Sequence, residues 1–528
     1  MGKTRQLPML ALVLAPLAPL AAHAGVLNVY DIIPNSLSAE TAQDSEPSLA
    51  VNPILPQYMI AGSFGGNQGA YFATSNGGAT WGNFGQIPSL DKSLAWSVDG
   101  RRAFTTRLLD AGNGNTAIAV QSNDIGPSFG DLIHVDNPGR SLDQPWIRTG
   151  RGLDPVSNTT KDRLYIGVND LNNSGGNTAT VHMSTDGGTT WSNTIIDRVG
   201  GSAGQDSPAV RLAVNGDKVY AAFIRWNNPI LQNDADGIRV AAQVVVVRDD
   251  HGATGASKFQ ALGSSGNGAV VGSTISAFTN TTTGDNGPLA LGNERAGSDL
   301  AIAVDPNNAN RVFVAYTASP ANGQIRLIVQ ESTDGGATWS AKVILPAAAR
   351  TSQPALAVLA NGGVGLLYNA YDPSSNLLSQ HLLVTRDDFA TVKDLALAAF
   401  KNGAPALKFD PYVGDFFDLT AVGNTYYGVF SASNLDDGVN AAFPNGVLFQ
   451  RSFSGTPGTS TFQLNDGLGG TVSGSIDPYF FSYDGSQGLT ARFAASAPEL
   501  SSWVMMIIGF GGVALQVRRR REVGAASA

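Results

Sequence analysis

The chain has 528 residues, of which 14% are charged and 62 are glycine, and its formal net charge is −9 at pH 7. This composition is typical of short strands joined by tight turns, and the acidic balance speaks against a nucleic-acid partner, because the phosphate backbone attracts basic surfaces. The sequence contains no cysteine, which excludes disulfides, thiolate metal sites and a thiol nucleophile.

The first 24 residues have the pattern of an export signal. Lys3 and Arg5 precede an apolar run at residues 7–22, and the run ends in the sequence AHA at residues 22–24. A positive start, a short apolar stretch and an A-x-A motif predict a secretory signal peptide that is removed before Gly25. We therefore expect one folded domain over residues 25–495.

Seven segments in which an acidic or small polar residue precedes a short apolar strand recur along this domain. They begin at Asp44, Asp91, Asp143, Asp206, Asp299, Ser352 and Asp410. Most are followed by a turn rich in Gly, Asn or Pro, then by a second and a third strand. Residues 26–32, ahead of the first repeat, are predicted to supply a strand that pairs with the last one.

The third strand of three repeats runs into a nearly identical octet. It reads TSNGGATW at residues 74–81, STDGGTTW at 184–191 and STDGGATW at 332–339, with degenerate copies at 122–129, 247–254 and 385–392. The distance from repeat start to octet start is similar between repeats, for example 30 residues in the first (44 to 74) and 33 in the fifth (299 to 332). A similar distance in the seventh repeat points to about residue 451, where the match is poor.

Each repeat therefore indicates a small sheet of antiparallel strands. Sheets of this size cannot bury both faces alone, but a ring of them can, and closing the ring removes exposed edges. The sequence predicts an all-β protein, a β-propeller with seven four-stranded antiparallel blades. A ring of six blades is the alternative.

The octets resemble the Asp-box, S-x-D-x-G-x-T-W, also called the BNR repeat, of the sialidase-like β-propeller superfamily. The resemblance implies that each octet is a turn between the third and fourth strands of a blade, on the face opposite the active site. An Asp carboxylate accepts hydrogen bonds from backbone N–H groups of such a turn, and a glycine adopts the positive φ that it needs. The residues assigned this structural role are Asn76, Trp81, Asp124, Asp186, Trp191, Asp334, Trp339 and Asp387.

Acidic residues recur where the first strands begin, on the face opposite the octets. They are Asp44, Glu46, Asp91, Asp143, Asp206, Asp299, Asp410 and Asp415. In a propeller they would ring the mouth of the central channel, where they could hold a cation or supply the acid/base pair of glycosidic cleavage. The alternative is that each carboxylate caps its own turn. We expect no cofactor beyond such a cation.

Residues that break the repeat are the better candidates for a site, because an active site is not symmetric. Arginine binds carboxylates in a two-point fashion, and aromatic rings stack on sugars. The catalytic candidates are Asp143, Arg148, Arg225, Tyr412 and Asp415, and the substrate-binding candidates are Trp146, Trp226 and Arg295.

The chain departs from sialidases in two respects. Sialidases have six blades, and their first arginine lies in an F/Y-R-I/L-P motif near the N-terminus, where this chain reads VYDIIPNS at residues 29–36, without arginine. Three functions therefore stay open. The protein is a carbohydrate-active enzyme (a glycosidase or a polysaccharide lyase), a non-catalytic glycan- or protein-binding surface protein, or a structural component of an exported layer.

Residues 496–528 have the pattern of a second targeting signal. An apolar run at 503–517 is followed by four arginines, and the run is shorter than the roughly 20 residues of a comfortable membrane span. Pro498, Glu499, Trp503 and the sequence MMIIGFG at residues 505–511 make this tail resemble the PEP-CTERM sorting signal, although Leu500 replaces the family's second proline. The resemblance implies a transient membrane anchor helix, an exosortase-type processing enzyme as partner, and delivery to the envelope or exterior of a Gram-negative bacterium. An ordinary C-terminal membrane anchor is the alternative.

Overall fold

Antiparallel sheets follow one another along the chain in the order of the predicted repeats. The computed structural model describes residues 27–486 apart from 28, 65–68, 88–90, 113–114, 125–127, 136–140, 172–177, 198–209, 235–236, 264–267, 280–298, 319–324, 346–349, 407 and 409–411. The predicted signal peptide and sorting segment, and the candidates Asp206, Arg295 and Asp410, lie outside the described residues.

The seven blades consist of the following strands, each in hydrogen-bonded order from the centre outward. Blade 1 has Ser45–Val51, Met59–Phe64, Gly69–Thr74 and Gly82–Ile87; blade 2 has Leu94–Trp96, Ala103–Gly112, Asn115–Asn123 and Ile133–His134; blade 3 has Leu142–Leu153, Thr160–Asp170, Thr178–Ser184 and Ser192–Ile195. Blade 4 has Val210–Asn215, Lys218–Asp234, Gly237–Asp249 and Ala269–Thr279; blade 5 has Leu300–Asp305, Asn308–Ala318, Arg326–Ser332 and Val343–Ile344; blade 6 has Arg350–Val358, Val364–Asp372, Leu377–Thr385 and Val392–Lys401. Blade 7 has Asp418–Val422, Thr425–Ser433, Ile476–Asp484 and Val29–Asp31.

The innermost strands form a closed ring. The first strand of each blade contacts the first strand of the next, and Asp418–Val422 of blade 7 contacts Ser45–Val51 of blade 1. Strand Val29–Asp31 pairs antiparallel with Ile476–Asp484, with Val29 opposite Phe481 and Asp31 opposite Tyr479. The predicted seven-bladed propeller is confirmed, and its N-terminal segment supplies the outermost strand of blade 7.

The core lies between blades rather than within them. Tyr165, Val181 and Met183 of blade 3, for example, pack in one buried cluster with Leu212 and Phe223 of blade 4. Neighbouring blades cover both faces of each sheet. A strand such as Thr160–Asp170 is therefore buried along most of its length, and its buried and exposed residues do not alternate.

Blade 7 corrects one expectation from the sequence. The repeat distance placed its third strand and octet near residue 451, but the third strand is Ile476–Asp484. Residues 434–475 form an insertion after the second strand and contribute the short strands Ala441–Ala442, Val447–Leu448, Phe453–Ser454 and Gln463–Leu464. The repeat spacing fails because this insertion separates the second strand from the third. No octet follows the third strand, since the fourth strand of the blade comes from the N-terminus.

The octets connect the third and fourth strands of their blades. In five of the six copies the residue at the third position accepts a hydrogen bond from the backbone N–H four residues later. The donor and acceptor pairs are Thr80 to Asn76 (3.0 Å), Thr190 to Asp186 (2.9 Å), Ala253 to Asp249 (2.7 Å), Thr338 to Asp334 (2.9 Å) and Thr391 to Asp387 (2.7 Å).

Two further features of these turns follow the sequence motif. The indole N–H of Trp81 donates to the carbonyl of Gly78 (3.1 Å), and that of Trp191 donates to Gly188 (2.9 Å). Gly78 and Gly188 have φ of 87° and 92°, a region that favours glycine. The degenerate copy at residues 122–129 differs, because its Asp124 pairs with the guanidinium of Arg102.

Candidate functional site

The two faces of the ring have different connections. In a four-stranded antiparallel blade, the turns after the first and third strands lie at the same edge of the sheet. The octets therefore lie on the face that also carries the first-to-second-strand turns, and we call this the lower face. The first strands begin at the opposite, upper face, where the predicted ring of acidic residues lies.

The upper end of the central channel is closed by residues 412–417, which lead into blade 7 and which we call the mouth segment. The backbone N–H of Asp415 donates to Glu46 Oε1 of blade 1 (3.1 Å), and the side-chain amide of Gln353 of blade 6 donates to the carbonyl of Gly414. Gln144 Nε2 of blade 3 donates to Asp415 Oδ2 (2.8 Å). Because blade 3 lies across the ring from blade 7, these contacts carry the mouth segment over the channel.

Three bulges direct these polar side chains to the centre. Glu46, Gln144 and Gln353 have φ of 50°, 48° and 53°, and each stands before a proline. The strand register shifts between Ser45 and Ser48, between Asp143 and Trp146, and between Ser352 and Ala355. Bulges of this kind re-aim a side chain next to a functional site, and a left-handed non-glycine residue persists only when its surroundings hold it.

Three carboxyl groups meet beside the mouth segment. Glu46 is buried, whereas Asp91 and Asp415 are partly exposed. Burial, together with the negative charges of Asp91 and Asp415, raises the pKa of Glu46, and its carboxyl group is hydrogen-bonded to that of Asp91. Two adjacent carboxyl groups cannot both ionise easily, so the pair keeps a proton to higher pH than isolated carboxyl groups would.

A buried lysine lies next to this pair. Lys92 is 1% exposed; its ammonium donates to the carbonyl of Ser63 and lies 4.9 Å from the centre of the Tyr71 ring. Burial lowers the pKa of Lys92 to about 7, although Asp44 and the other nearby carboxylates act in the opposite direction. Because the amine has no route to solvent, Lys92 can adjust the charge of the cluster but cannot attack a substrate.

An aromatic wall borders the mouth segment on the side of blade 3. Trp146 packs edge-on against Phe416, with ring centroids 5.3 Å apart. The guanidinium carbons of Arg211 and Arg148 lie 4.1 and 4.9 Å from the centre of the Trp146 ring. Arg211 Nη2 also donates to Gln144 Oε1 (3.0 Å), and burial, with the nearby charge of Arg148, lowers its pKa to about 10.

The structure brings four of the sequence-predicted site residues together. Asp415 belongs to the mouth segment, and Asp143, Trp146 and Arg148 lie on the first strand of blade 3 at its upper end. The Asp143 carboxylate is partly exposed and accepts the backbone N–H of Gln144 (3.0 Å).

Three other candidates are buried and have partners within the fold. Arg225 is 6% exposed and its guanidinium pairs with Asp197 (2.7 Å). Trp226 is buried in the apolar cluster between blades 4 and 5. Tyr412 is fully buried in the cluster of blades 6 and 7, and its hydroxyl donates to the carbonyl of Pro405. Arg225 and Trp226 have the appearance of site residues in sequence, but their side chains are buried in the structure, as is that of Tyr412 in the mouth segment.

Two of the repeated acids have structural partners. Asp44 accepts a hydrogen bond from Ser63 Oγ (2.8 Å), and Asp299 accepts the backbone N–H of Gln353 (3.0 Å). These contacts are structural, because Asp44 holds a side chain of the second strand of its own blade and Asp299 holds the backbone of the next blade.

Sequence reasoning missed Lys92, Gln144 and Gln353. The signal was the tripeptide S/D-E/Q-P, present at residues 45–47, 143–145 and 352–354. A glutamate or glutamine followed by proline at the start of a strand could have indicated a bulge, because proline restricts the residue before it and removes one ladder hydrogen bond.

The described part of the chain lacks both a metal-binding cluster of side chains and a membrane-spanning helix. It holds no cluster of three or more His, Asp or Glu side chains arranged to bind a metal ion. Among the same residues, no helix has the length and apolar character to cross a membrane. The cation predicted at the channel mouth therefore stays a prediction.

No protein-family model matches the chain, and no curated protein matches it. Solved structures similar to it include the GH93 α-L-arabinofuranosidase of Fusarium graminearum in complex with arabinobiose, at 12% identity over 68% of this chain and 97% of that chain, with a TM-score of 0.41. They also include the Penicillium chrysogenum α-L-arabinanase with arabinobiose (9%, 88% and 99%, TM-score 0.41) and an endo-arabinase from Bacteroides thetaiotaomicron (9%, 67% and 96%, TM-score 0.32). At these identities and TM-scores the likeness carries no argument about what this chain does.

Proposed function

We propose that the protein is a glycan-acting hydrolase whose reaction takes place above the mouth segment. The observation that carries this proposal is the proton-sharing pair of Glu46 and Asp91 beside the separate carboxylate of Asp415. A carboxyl group whose pKa is raised by burial and by neighbouring carboxylates, as that of Glu46 is, is typical of acid/base catalysis. The cluster also breaks the sevenfold repeat, as a catalytic site must.

In this proposal Asp91 is the general acid. Asp91 is partly exposed, whereas Glu46 behind it is buried, so the shared proton reaches a substrate through Asp91. Protonation of the glycosidic oxygen by Asp91 breaks the bond between that oxygen and the sugar carbon. The pair regains a proton from solvent after each turnover, and the hydrogen bond that Glu46 accepts from the backbone N–H of Asp415 fixes the position of Glu46.

Asp415 is the proposed general base. Its carboxylate is oriented by the side-chain amide of Gln144 and is partly exposed on the same surface. It would accept a proton from the water that attacks the sugar carbon, so that one proton is given and one is taken in each cycle. Asp143 and Trp146, at the border of the surface, would contact the sugar.

The test is hydrolysis by the purified full chain of aryl glycosides, including an α-L-arabinofuranoside, and of polysaccharides including arabinan. We expect Asp91→Asn and Asp415→Asn each to lower kcat/KM by roughly 10²- to 10⁴-fold, the usual contribution of a general acid or base. Asp124→Asn is the matched control, because Asp124 is an exposed carboxylate on the lower face. Turnover that survives in both upper-face variants would refute the assignment.

A second function is favoured by one observation. The mouth segment closes the upper end of the channel, and the cavity directly beneath it has a volume of only about 20 Å³. A closed centre suits a protein that binds glycans without cleaving them. Binding of oligosaccharides by the folded chain, with no product in any hydrolysis assay, would favour this alternative.

The finer family assignment and the destination are also proposals. We propose that the octets are Asp-boxes of the sialidase-like superfamily, which is supported by their position after the third strands and by their internal hydrogen bonds. We propose export to the cell envelope or exterior of a Gram-negative bacterium, with processing by an exosortase-type enzyme, on the basis of the two terminal sequence patterns. Mass spectrometry of the protein from cells with and without such an enzyme would reveal whether the tail after Ala495 is removed.

A further inference from the structure

A continuous apolar space lies below the mouth segment, inside the ring of first strands. It has two lobes of about 420 and 290 Å³, which share the lining residues Arg148, Val214 and Thr420. Most other lining residues are Ala, Val, Leu and Ile of the first strands. Volumes of this size are typical of small-molecule sites, and such sites are mostly apolar with a few placed polar groups.

The space opens on the lower face. Pro53, Val98, Pro306, Ala360 and Gly423 line its outer end, and all five belong to turns between first and second strands. Val98 is 48% exposed at this opening. A ligand would therefore enter from the octet face, opposite the proposed hydrolase site.

Two arginines lie at the closed end. Arg148 reaches into both lobes; one of its N–H groups donates to the carbonyl of Ile147 (2.9 Å), and Nη2 is 3.7 Å from Asp418 Oδ1, which is too far for a hydrogen bond. Arg211 is 5% exposed, and its Nη1 has no hydrogen-bond partner. Guanidinium N–H groups therefore remain available for an acceptor at this end of the space.

Charged groups of both signs lie around the closed end, and the carboxylates of Asp299 and Asp415 act on Arg211 in addition to that of Asp418. The small cavity of about 20 Å³ above the lobes is lined by Trp146, Arg148, Arg211 and Asp418 together with apolar residues, which gives one net positive charge. Asp418 is already held by Ser48 Oγ (3.2 Å) and the backbone N–H of Leu49 (3.1 Å). A buried arginine donor without a partner is costly, and an anion is the group that would satisfy it.

We propose that this channel binds a single-chain alkyl carboxylate, with its carboxylate on Arg148 and Arg211 and its chain along the apolar lobes toward the lower face. An alkylammonium ion would be repelled by the two guanidinium groups. A short carboxylate would leave the lobes empty and lose the free energy of burying the alkyl chain. This proposal is independent of the proposed hydrolase activity.

The experiment is isothermal titration calorimetry of the purified full chain with dodecanoate, dodecylammonium and butanoate, each below its micelle concentration. We expect saturable, one-to-one binding of dodecanoate, and binding at least tenfold weaker for each of the other two ligands. Two variants act on different parts of the site. Arg148→Met removes the charge but keeps an unbranched side chain, and Thr420→Phe fills both lobes without altering an arginine.

We expect each variant to weaken dodecanoate binding at least tenfold. Val156→Ala is the matched control, because Val156 is 92% exposed on the lower face outside the channel, and its binding should equal that of the wild type. Circular dichroism establishes which variants are folded, and a single folded variant suffices for the comparison. Failure of dodecanoate to bind, equal binding of dodecylammonium, or undiminished binding by the folded channel variants would overturn the proposal. The last outcome would place the ligand on another apolar part of the chain.

Discussion

Replacement of Arg451 by methionine should destabilise the propeller where its ring closes. Arg451 belongs to the insertion of blade 7 and is fully buried together with Asp477. Its Nη1 donates to Asp477 Oδ2 (2.6 Å), and its Nη2 donates to the carbonyls of Ser38 (2.9 Å) and Glu40. The side chain thus joins the insertion and the third strand of blade 7 to the segment that follows the closing strand.

The magnitude follows from what the variant leaves behind. Removing one partner of a buried ion pair costs roughly 3–5 kcal/mol, because the other charge stays buried without compensation. Asp477 keeps hydrogen bonds from Asn434 Nδ2 (2.8 Å) and Ser475 Oγ (2.7 Å), so we expect a loss of about 3 kcal/mol, at the lower end of that range. Methionine fills much of the same volume, and a cavity term should add little.

The assay is urea unfolding at pH 7, followed by tryptophan fluorescence, with the free energy of unfolding obtained by linear extrapolation. Arg101→Met is the control: Arg101 is 84% exposed and 3.8 Å from Asp99, so its loss should change the free energy of unfolding by less than about 0.5 kcal/mol. Adding Asp477→Asn to Arg451→Met removes the orphaned charge and should recover part of the loss. A loss for Arg451→Met no greater than that of the control would refute the reasoning.

Three further changes test other parts of the structure. Asp186→Ala should lower the free energy of unfolding by about 1 kcal/mol, as loss of a cap does. The value of kcat/KM should stay constant, since the octet lies on the lower face. Reduced activity at an unchanged melting temperature would contradict this prediction. Gly78→Ala should destabilise more than Gly77→Ala in thermal melts, because both glycines have positive φ but only at Gly78 would a Cβ overlap the Phe480 ring; equal losses would contradict the packing argument. Burial, together with the negative charge of Asp477, raises the pKa of Glu40 from 4.5 to about 7, so the contribution of Glu40 to stability is full below pH 4.5 and is lost as pH rises through 7. Glu40→Gln should remove up to about 3 kcal/mol of the decline in unfolding free energy between these pH values, and an unchanged pH profile would refute this reasoning.

The architecture could be predicted from the sequence because its signals are local. Each octet fixes one turn through contacts within a few residues, as the bond between Thr190 and Asp186 illustrates, and the spacing of such turns reveals the blades. Ring closure was also predictable, since an apolar segment ahead of the first repeat had no partner in its own repeat. The insertion of blade 7 was not predictable. Its outer strand comes from the far end of the chain, so no octet follows the third strand and no local motif marks where that strand lies.

The candidate site was predictable only in part. Asp143, Trp146 and Asp415 stand out as polar or aromatic residues at strand starts, and the structure places all three at the channel mouth. Arg225 has the same appearance in sequence, but its partner Asp197 lies 28 residues away in the chain, and no local pattern announces that pairing. Side-chain direction at a strand end depends on bulges and neighbouring blades, which sequence alone specifies weakly.

The channel mouth is formed by departures from the repeat rather than by the repeat itself. Equivalent positions in a sevenfold ring would place equivalent carboxylates around the centre, and such a ring would repel itself without a bound cation. The mouth segment breaks this symmetry, because one chain segment crosses the centre and gives Glu46, Gln144 and Gln353 different partners. That segment gives otherwise similar strand starts different hydrogen-bond partners and different neighbouring charges, and an acid and a base in one site require such different surroundings.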